Sequence, residues 1–409
     1  MSEQGQSTTE PDAEVAAPQE SRSRQVLREI AESSSMVVFM AIVASMIIGG
    51  LLIIFADEAV RESAGYFFSR PGDTFSAIGD ALGSAYSAMF NGAVLNLQAE
   101  SFAGMIKPFT QTLTMATPLI FAGLGLGLGF RAGLFNIGAQ GQILIGATVG
   151  GYIGFAWDLP WGLHLLLAVL GCALGGALWG FIPGVLKAKR GAHEVIVTIM
   201  LNYIALYLVA WLLSLEAFQR EGSDNPISPI VAETAQYPKI LGVQFNLHLG
   251  FVLALACAWG VWWLMERSTL GFRLRAVGAN PSAARTAGMS IGAATILTMV
   301  IAGALAGLAG SAPVLGTQKF LTDAVAGSLG FDAITVALLG RSRPLGIVLA
   351  AILFGGLQAS GPSLQVNAGL PVDIVVVIQA LIVLFIAAPP LVRAIFRLPS
   401  PAHEKEVAA

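Results

Sequence analysis

Charged side chains are scarce in this 409-residue chain: Asp, Glu, Lys and Arg make up 11% of it, whereas 55% of the residues are apolar. A soluble globular protein carries about 25% charged residues, because its surface depends on them. Ten of the charges lie in the first 35 residues, so the rest of the chain cannot cover a water-soluble surface. The composition predicts an all-α, polytopic membrane protein.

Other features are also missing. The net charge is only −3, which gives no basic field for nucleic acid. The two cysteines, Cys172 and Cys257, lie in apolar stretches, which excludes a disulfide framework. No phosphate-binding GxxxxGK[ST] motif is present, and the pair His193–Glu194 lacks the second histidine of a zinc protease. We therefore expect no catalytic residues, no metal site and no cofactor in this chain.

Apolar runs of membrane-spanning length occur about ten times. They lie at 34–56, 109–130, 141–157, 162–186, 195–214, 247–265, 290–312, 324–340, 344–360 and 371–388, and the eighth is the weakest. This pattern predicts a transmembrane domain over 34–390. We interpret the polar residues 1–33 as a disordered N-terminal tail and 391–409 as a C-terminal tail.

The distribution of basic residues predicts the orientation. With the N-terminus inside, sixteen of the 22 Lys and Arg fall on the cytoplasmic side, as the positive-inside rule requires. Both tails and the loop 266–290 are then cytoplasmic, and the segments 57–108 and 215–246 are external. Helical spacing of apolar residues predicts an amphipathic helix on the outer surface within 57–108. The residues concerned are Phe75, Ile78, Leu82 and Met89. Both external segments fit either a partner contact or ordinary loops.

A weak internal similarity suggests a repeat. Residues 175–190 (GGALWGFIPGVLKAKR) resemble residues 303–319 (GALAGLAGSAPVLGTQK). The predicted topology gives these two helices opposite directions, as an inverted repeat requires. Helices rich in Gly and Ala also resemble one another by composition alone, so both explanations stay open.

Four stretches with polar residues stand out from generic apolar helix. They are GFRAGLFNIGAQGQILIGA (129–147), RGAHEVIVTIMLNYIALYL (190–208), LGFRLRAVGANPSAARTAGMS (270–290) and GFDAITVALLGRSRPLGIVLAAILFGGLQ (330–358). Together they resemble the permease subunits of ATP-binding-cassette (ABC) importers, in the nucleoside and simple-sugar branch related to the ribose and branched-chain amino-acid permeases. In the nucleoside-type permeases Glu is common where this chain has Gln140, a departure that removes one charge.

This resemblance implies a set of partners. ATP hydrolysis would belong to a separate cytoplasmic ATPase subunit, and an extracytoplasmic solute-binding protein would deliver the solute. The longer of two paired permeases carries these motifs, which implies a heterodimer with a shorter second permease. We therefore expect an importer permease for nucleosides. A simple sugar is the alternative cargo, and an ion-coupled secondary transporter using Asp332 is the alternative from another class.

The third stretch predicts a short capped helix at 281–287. Asn280 suits the N-cap, Pro281 the first helical position and Gly288 the position after the helix end. The resemblance implies that this helix docks into the ATPase and that nearby residues take part. They are Arg273, Arg275, Ala284 and Arg285. The arginines also satisfy the positive-inside rule without any such role.

The remaining candidates are polar residues in or beside the spans. Glu194 begins a helix, where the helix dipole stabilises an acid, or it takes part in gating or assembly. The candidates for the substrate pathway are Asn136, Gln140, Gln142, Asn202 and Asp332. The four amides suit a neutral, hydroxyl-rich solute, but they suit hydrogen bonding between helices equally well.

Overall fold

The computed structural model describes residues 34–223 and 225–398. Within these ranges every regular element is helical, and extended pairing is limited to two isolated bridges. The predicted all-α class is confirmed. The α-helices are α1 (Ser34–Ala56), α2 (Glu58–Ala64), α3 (Pro71–Ala93), α4 (Phe102–Arg131), α5 (Ala139–Ala156), α6 (Leu163–Arg190), α7 (Glu194–Leu212), α8 (Gly250–Arg267), α9 (Thr269–Ala279), α10 (Pro281–Thr286), α11 (Ile291–Ser311), α12 (Leu329–Leu339), α13 (Pro344–Ala368), α14 (Asp373–Ala387) and α15 (Pro389–Phe396).

The number of membrane crossings is not confirmed at ten. Within the described residues, six helices are long and apolar enough to cross a bilayer: α1, α4, α6, α7, α11 and α13. Helices α14 and α15 add a seventh if the 97° bend between them lies within one span. The predicted third and sixth spans correspond to α5 and α8, which have 18 residues each and fall outside that set.

Two predicted segments differ from the structure, and a third lies outside it. The eighth run, 324–340, is helical only over Leu329–Leu339, about 16 Å of helix, which is shorter than the hydrocarbon core. Residues 391–396, at the start of the predicted C-terminal tail, are helical and belong to α15. The tail predicted for 1–33 lies outside the described residues.

The predicted amphipathic helix is α3, and it is not a separate surface element. It runs for 23 residues and packs against α1 and α13. The Tyr86 hydroxyl donates to the carbonyl of Met46 at 2.6 Å, and Ser363 donates to the carbonyl of Ala88 at 2.8 Å. Of the four apolar residues that suggested it, Met89 is buried, whereas Phe75 remains 65% exposed.

Two pairs of long helices pack along each other in the core. Helix α6 packs along α11, and α13 packs along α4 in the same way. Glycines permit both contacts: Gly176 lies against Gly303, and Gly355 lies against the backbone of Thr112 and Ala116. The predicted repeat paired α6 with α11. These helices run antiparallel and are packing partners.

The predicted external segment 215–246 is bound to the helical core by backbone hydrogen bonds. Ser228 and Val231 donate to the carbonyls of Leu321 and Lys319, at 3.0 and 2.9 Å. Tyr237 donates to the carbonyl of Leu315 at 2.8 Å, where α11 continues into a π-helical turn. The segment therefore covers one end of α5 and α11.

Candidate functional site

The chain breaks its helical structure between α4 and α5, at residues 132–138. Asn136 stabilises this break from within. Its Oδ1 accepts a hydrogen bond from the Gly138 backbone N–H at 2.9 Å, and its Nδ2 donates to Oε1 of Gln142 at 3.1 Å. Asn136 therefore supplies a hydrogen-bond partner to backbone that the helix break leaves unpaired, and Gln142 holds the Asn136 side chain in place.

Asn202 binds the same break from α7. Its Oδ1 accepts from the Gly141 backbone N–H at 2.8 Å, and its Nδ2 donates to the carbonyl of Ile137 at 2.9 Å. A single side chain thus satisfies one donor and one acceptor on either side of the start of α5. The sequence could suggest an isolated amide in an apolar helix, but not this partner.

The burial of these amides favours hydrogen bonding within the chain for three of the residues predicted to line the pathway. Asn136 and Gln142 are each 1% exposed, and Asn202 is 7% exposed. A passing solute cannot reach their hydrogen-bonding atoms in this conformation, because the chain's own groups occupy them. Their observed contacts support the start of α5.

Gln140 connects two helix starts that are distant in sequence. Its Nε2 donates to the carbonyl of Gly327 at 2.6 Å, and its Oε1 accepts from the Gly330 backbone N–H at 2.9 Å. Gly330 lies so close to Gln140 that a side chain there would collide with the Gln140 backbone. Helices α5 and α12 therefore begin against each other.

Asp332 lies in the first turn of α12 and forms the second polar group at this junction. Its Oδ2 accepts from the Ser328 hydroxyl at 2.7 Å and from Nε2 of Gln358, on α13, at 3.1 Å. Asp332 and Gln358 are partly exposed, and Ser328 is exposed. Gln358 and Ser328 were not predicted as site residues. The signal for Gln358 was an amide within the apolar run 344–360.

The predicted short helix between the eighth and eleventh helices is present as α10. Asn280 is its N-cap and accepts from the Ala283 backbone N–H at 3.1 Å. Pro281 is the first helical residue, and Gly288 has φ +79°, a conformation that favours glycine. The helix ends at Thr286, one residue before the predicted end.

Two of the residues predicted to dock the ATPase face their own chain. Ala284 is only 4% exposed, so a large side chain there would disturb the packing of α10 itself. Arg275 binds Glu266 at 3.4 Å and therefore already has an acidic partner. Arg273 and Arg285 are exposed, and no ion pair of theirs occurs among the described residues.

The α9–α10 segment is joined directly to the break after α4. Glu266, at the end of α8, binds Arg131 of α4 at 2.6 Å as well as Arg275 of α9. Gly278, near the end of α9, packs against Gly133, which has φ +72°. The α9–α10 segment is therefore joined to the end of α4 and the break after it by one backbone contact and one ion-pair cluster.

Glu194 forms an ion pair with Lys187 at 2.5 Å, across the turn from α6 to α7. The carboxylate side chain is 12% exposed. This pair fixes the start of α7 to the end of α6. It is compatible both with the helix-dipole interpretation and with a role in gating or assembly.

Comparison with known proteins identifies the chain's relatives. A family model described as "Branched-chain amino acid transport system / permease component" matches residues 109–387. The chain belongs to this family. The permease is therefore a component of a transport system and a multi-pass membrane protein. The matched region contains every residue discussed above for the helix junction and for the α9–α10 segment.

Three curated relatives refine this placement. The permease is 40% identical to the guanosine ABC transporter permease protein of Bacillus subtilis over 318 residues, 77% of this chain and 88% of the relative. It is 36% identical to a nucleoside ABC transporter permease protein of Lactococcus lactis over 70% of this chain and 81% of the relative. It is also 36% identical to the glucose ABC transporter permease protein of Haloferax volcanii over 68% and 75%. No solved structure matches the chain.

Proposed function

We propose that this permease is a membrane subunit of an ABC importer and forms part of the translocation pathway for nucleosides. The observation that carries the proposal is α10, a capped helix with exposed residues that contacts the break between α4 and α5 through α9. A helix of this kind can receive the motion of a partner and pass it to the transmembrane part. Two of the three relatives above are named for guanosine or nucleosides.

The proposed complex contains a cytoplasmic ATPase, a second, shorter permease and an extracytoplasmic solute-binding protein. In this complex both termini and the α9–α10 segment face the cytoplasm, and Arg273 and Arg285 contact the ATPase. The alternative solute is a simple sugar, because one relative is named for glucose.

The overall function is tested by uptake into proteoliposomes. The complete importer should accumulate labelled uridine or guanosine only when ATP is supplied on the ATPase side, and glucose should compete weakly. Stronger competition by glucose would favour the sugar alternative. Uptake by this chain alone, driven by a proton or sodium gradient, would instead favour an ion-coupled transporter.

The role of α10 is tested at Ala283, since Ala284 is buried. Ala283 is exposed, so Ala283→Trp leaves the packing of this chain unchanged but places a bulky ring on the proposed docking surface. We expect normal membrane insertion and at least a tenfold loss of ATPase co-purification, which corresponds to about 1.4 kcal/mol of binding free energy. The matched control is Ala217→Trp, at an exposed site on the external segment. Equal co-purification of both variants would contradict the docking role.

A further inference from the structure

The junction where α5 and α12 begin lies far from both ends of the surrounding helices. Asp332 precedes the end of α12 at Leu339 by seven residues, about 10 Å along the helix axis. Gln358 is fourteen residues from the start of α13, about 21 Å into a helix of 25 residues. Both side chains therefore lie near the middle of the crossing that α13 makes.

At this depth the polar side chains are partly accessible in the single chain. Ser328 is exposed, and Gln140, Asp332 and Gln358 are partly exposed. Hydrocarbon solvates such groups poorly, so an ionisable residue at mid-membrane depth faces protein or a water-filled passage. The face formed by Ser328, Asp332 and Gln358 is therefore directed away from lipid.

This face presents a hydrogen-bond acceptor, the Asp332 carboxylate, and one of its two oxygens has no partner within the described part of the chain. Ser328 and Gln358 both donate to Oδ2 of Asp332 and hold the carboxylate in place. Oδ1 makes no hydrogen bond with the described residues and is not enclosed. No Lys or Arg forms an ion pair with this carboxylate among those residues.

We propose that Ser328, Asp332 and Gln358 form a subsite for the hydroxyl groups of the sugar part of a neutral solute. A carboxylate oxygen accepts hydrogen bonds from hydroxyl groups, and such charge-assisted bonds are roughly twice as strong as neutral ones. A phosphorylated solute would be repelled by the same charge. The vicinal ribose hydroxyls of a nucleoside therefore fit the open position, and a nucleotide does not. This inference rests on the proposed function and names the part of the solute that the pathway recognises.

The test compares two solutes that differ only in the hydroxyls concerned. The complete importer is assayed for ATP-dependent uptake of uridine and of 2′,3′-dideoxyuridine, with the wild-type chain and with Asp332→Asn. The solute-binding protein is the same in all assays, so its own preference cancels when the two ratios are compared. Asp373→Asn is the matched control, because Asp373 is an exposed acid in the first turn of α14.

We expect the uridine preference of Asp332→Asn to fall by roughly tenfold, because a hydrogen bond to a charged group is replaced by a weaker one. Ser328→Ala should lower the preference less, and it serves as the second variant if Asp332→Asn does not assemble. Asp373→Asn should keep the wild-type ratio.

Three outcomes would overturn the inference. If Asp332→Asn or Ser328→Ala slows both solutes by the same factor, the cluster is structural and does not read the hydroxyls. If uridine uptake follows a proton gradient without ATP, and Asp332→Asn abolishes it, Asp332 couples ions. If the wild-type importer takes up uridine neither way, the proposed function fails and the subsite with it.

Discussion

Replacing Gly278 by alanine should separate ATP hydrolysis from transport. A Cβ at this position would lie 2.6 Å from the carbonyl carbon of Ala132 and 2.6 Å from the carbonyl oxygen of Arg131. Both neighbours are backbone atoms, so no flexible side chain can move aside. Ordinary contacts begin at 3.4 Å, and the end of α9 must therefore move by about 0.8 Å relative to the break after α4.

The expected size of the effect on transport follows from the cost of overpacking, which is roughly 1–3 kcal/mol. Alanine is otherwise a better helix former than glycine, so the helix itself gains stability and the strain falls on the contact between α9 and the break. If that contact transmits the motion of α10, the transport rate per complex should fall by about 5- to 150-fold. Because the rate is measured per assembled complex, a lower amount of complex caused by the same strain does not enter the comparison.

The assay measures uridine uptake and ATP hydrolysis in the same proteoliposomes, normalised to assembled complex. We expect Gly278→Ala to hydrolyse more ATP per transported uridine than the wild type. Gly260→Ala is the control, since Gly260 lies on the neighbouring helix α8 and a Cβ there would meet nothing within 4 Å. A normal ratio of ATP to uridine in Gly278→Ala would refute the proposed transmission through this contact.

Two further predictions concern folding and orientation. Asn202→Ala leaves the Gly141 N–H and the Ile137 carbonyl without partners, so it should destabilise the chain by about 1–3 kcal/mol and reduce the membrane-inserted amount; normal insertion with slow turnover per molecule would contradict this. Single cysteines at Ser223 and Ala279 should differ in labelling by an impermeant thiol reagent added outside, with Ser223→Cys labelled and Ala279→Cys protected in intact cells. Equal labelling above the background of the native cysteines would refute the proposed orientation.

Composition and run length were sufficient to predict the fold class, because apolar runs of about twenty residues satisfy their backbone hydrogen bonds in the membrane by forming helices. They were not sufficient to predict the length and packing of individual helices. The helical spacing of Phe75, Ile78, Leu82 and Met89 suggested a helix on the outer surface, yet the alanines of α3 and Met89 pack against neighbouring helices. Such packing depends on the facing helix, and a single sequence segment does not contain that information.

Local signals predicted the α10 helix well, since capping involves residues only a few positions apart. Asn280, Pro281 and Gly288 occupy the expected positions. The exposure of individual side chains was not predictable in the same way. Ala284 is covered by its own chain because the helix is only six residues long and lies against the start of α11.

The polar residues show what a sequence can and cannot assign. An amide in an apolar run indicates a hydrogen bond at membrane depth, but the partner decides between support and recognition. For Asn202 the partners are backbone groups 61 and 65 residues away, and the side chain is enclosed. Asp332 has side-chain partners that leave one oxygen unbound. The same class of sequence signal therefore leads to two different proposals, support of a helix start for Asn202 and solute recognition for Asp332.

The two proposed roles, support of the helix starts and solute recognition at Asp332, depend on each other physically. A helix that begins inside the membrane exposes backbone N–H groups that need partners, and here Asn136, Asn202 and Gln140 supply acceptors for three of them. Because Gln140, in the first turn of α5, also holds the start of α12, we expect a movement of the start of α5 to displace Asp332. The break is the part of the transmembrane region that α9 contacts. A displacement of α10 would therefore reach the proposed solute subsite through hydrogen bonds to backbone groups, which permit little independent movement of either helix start.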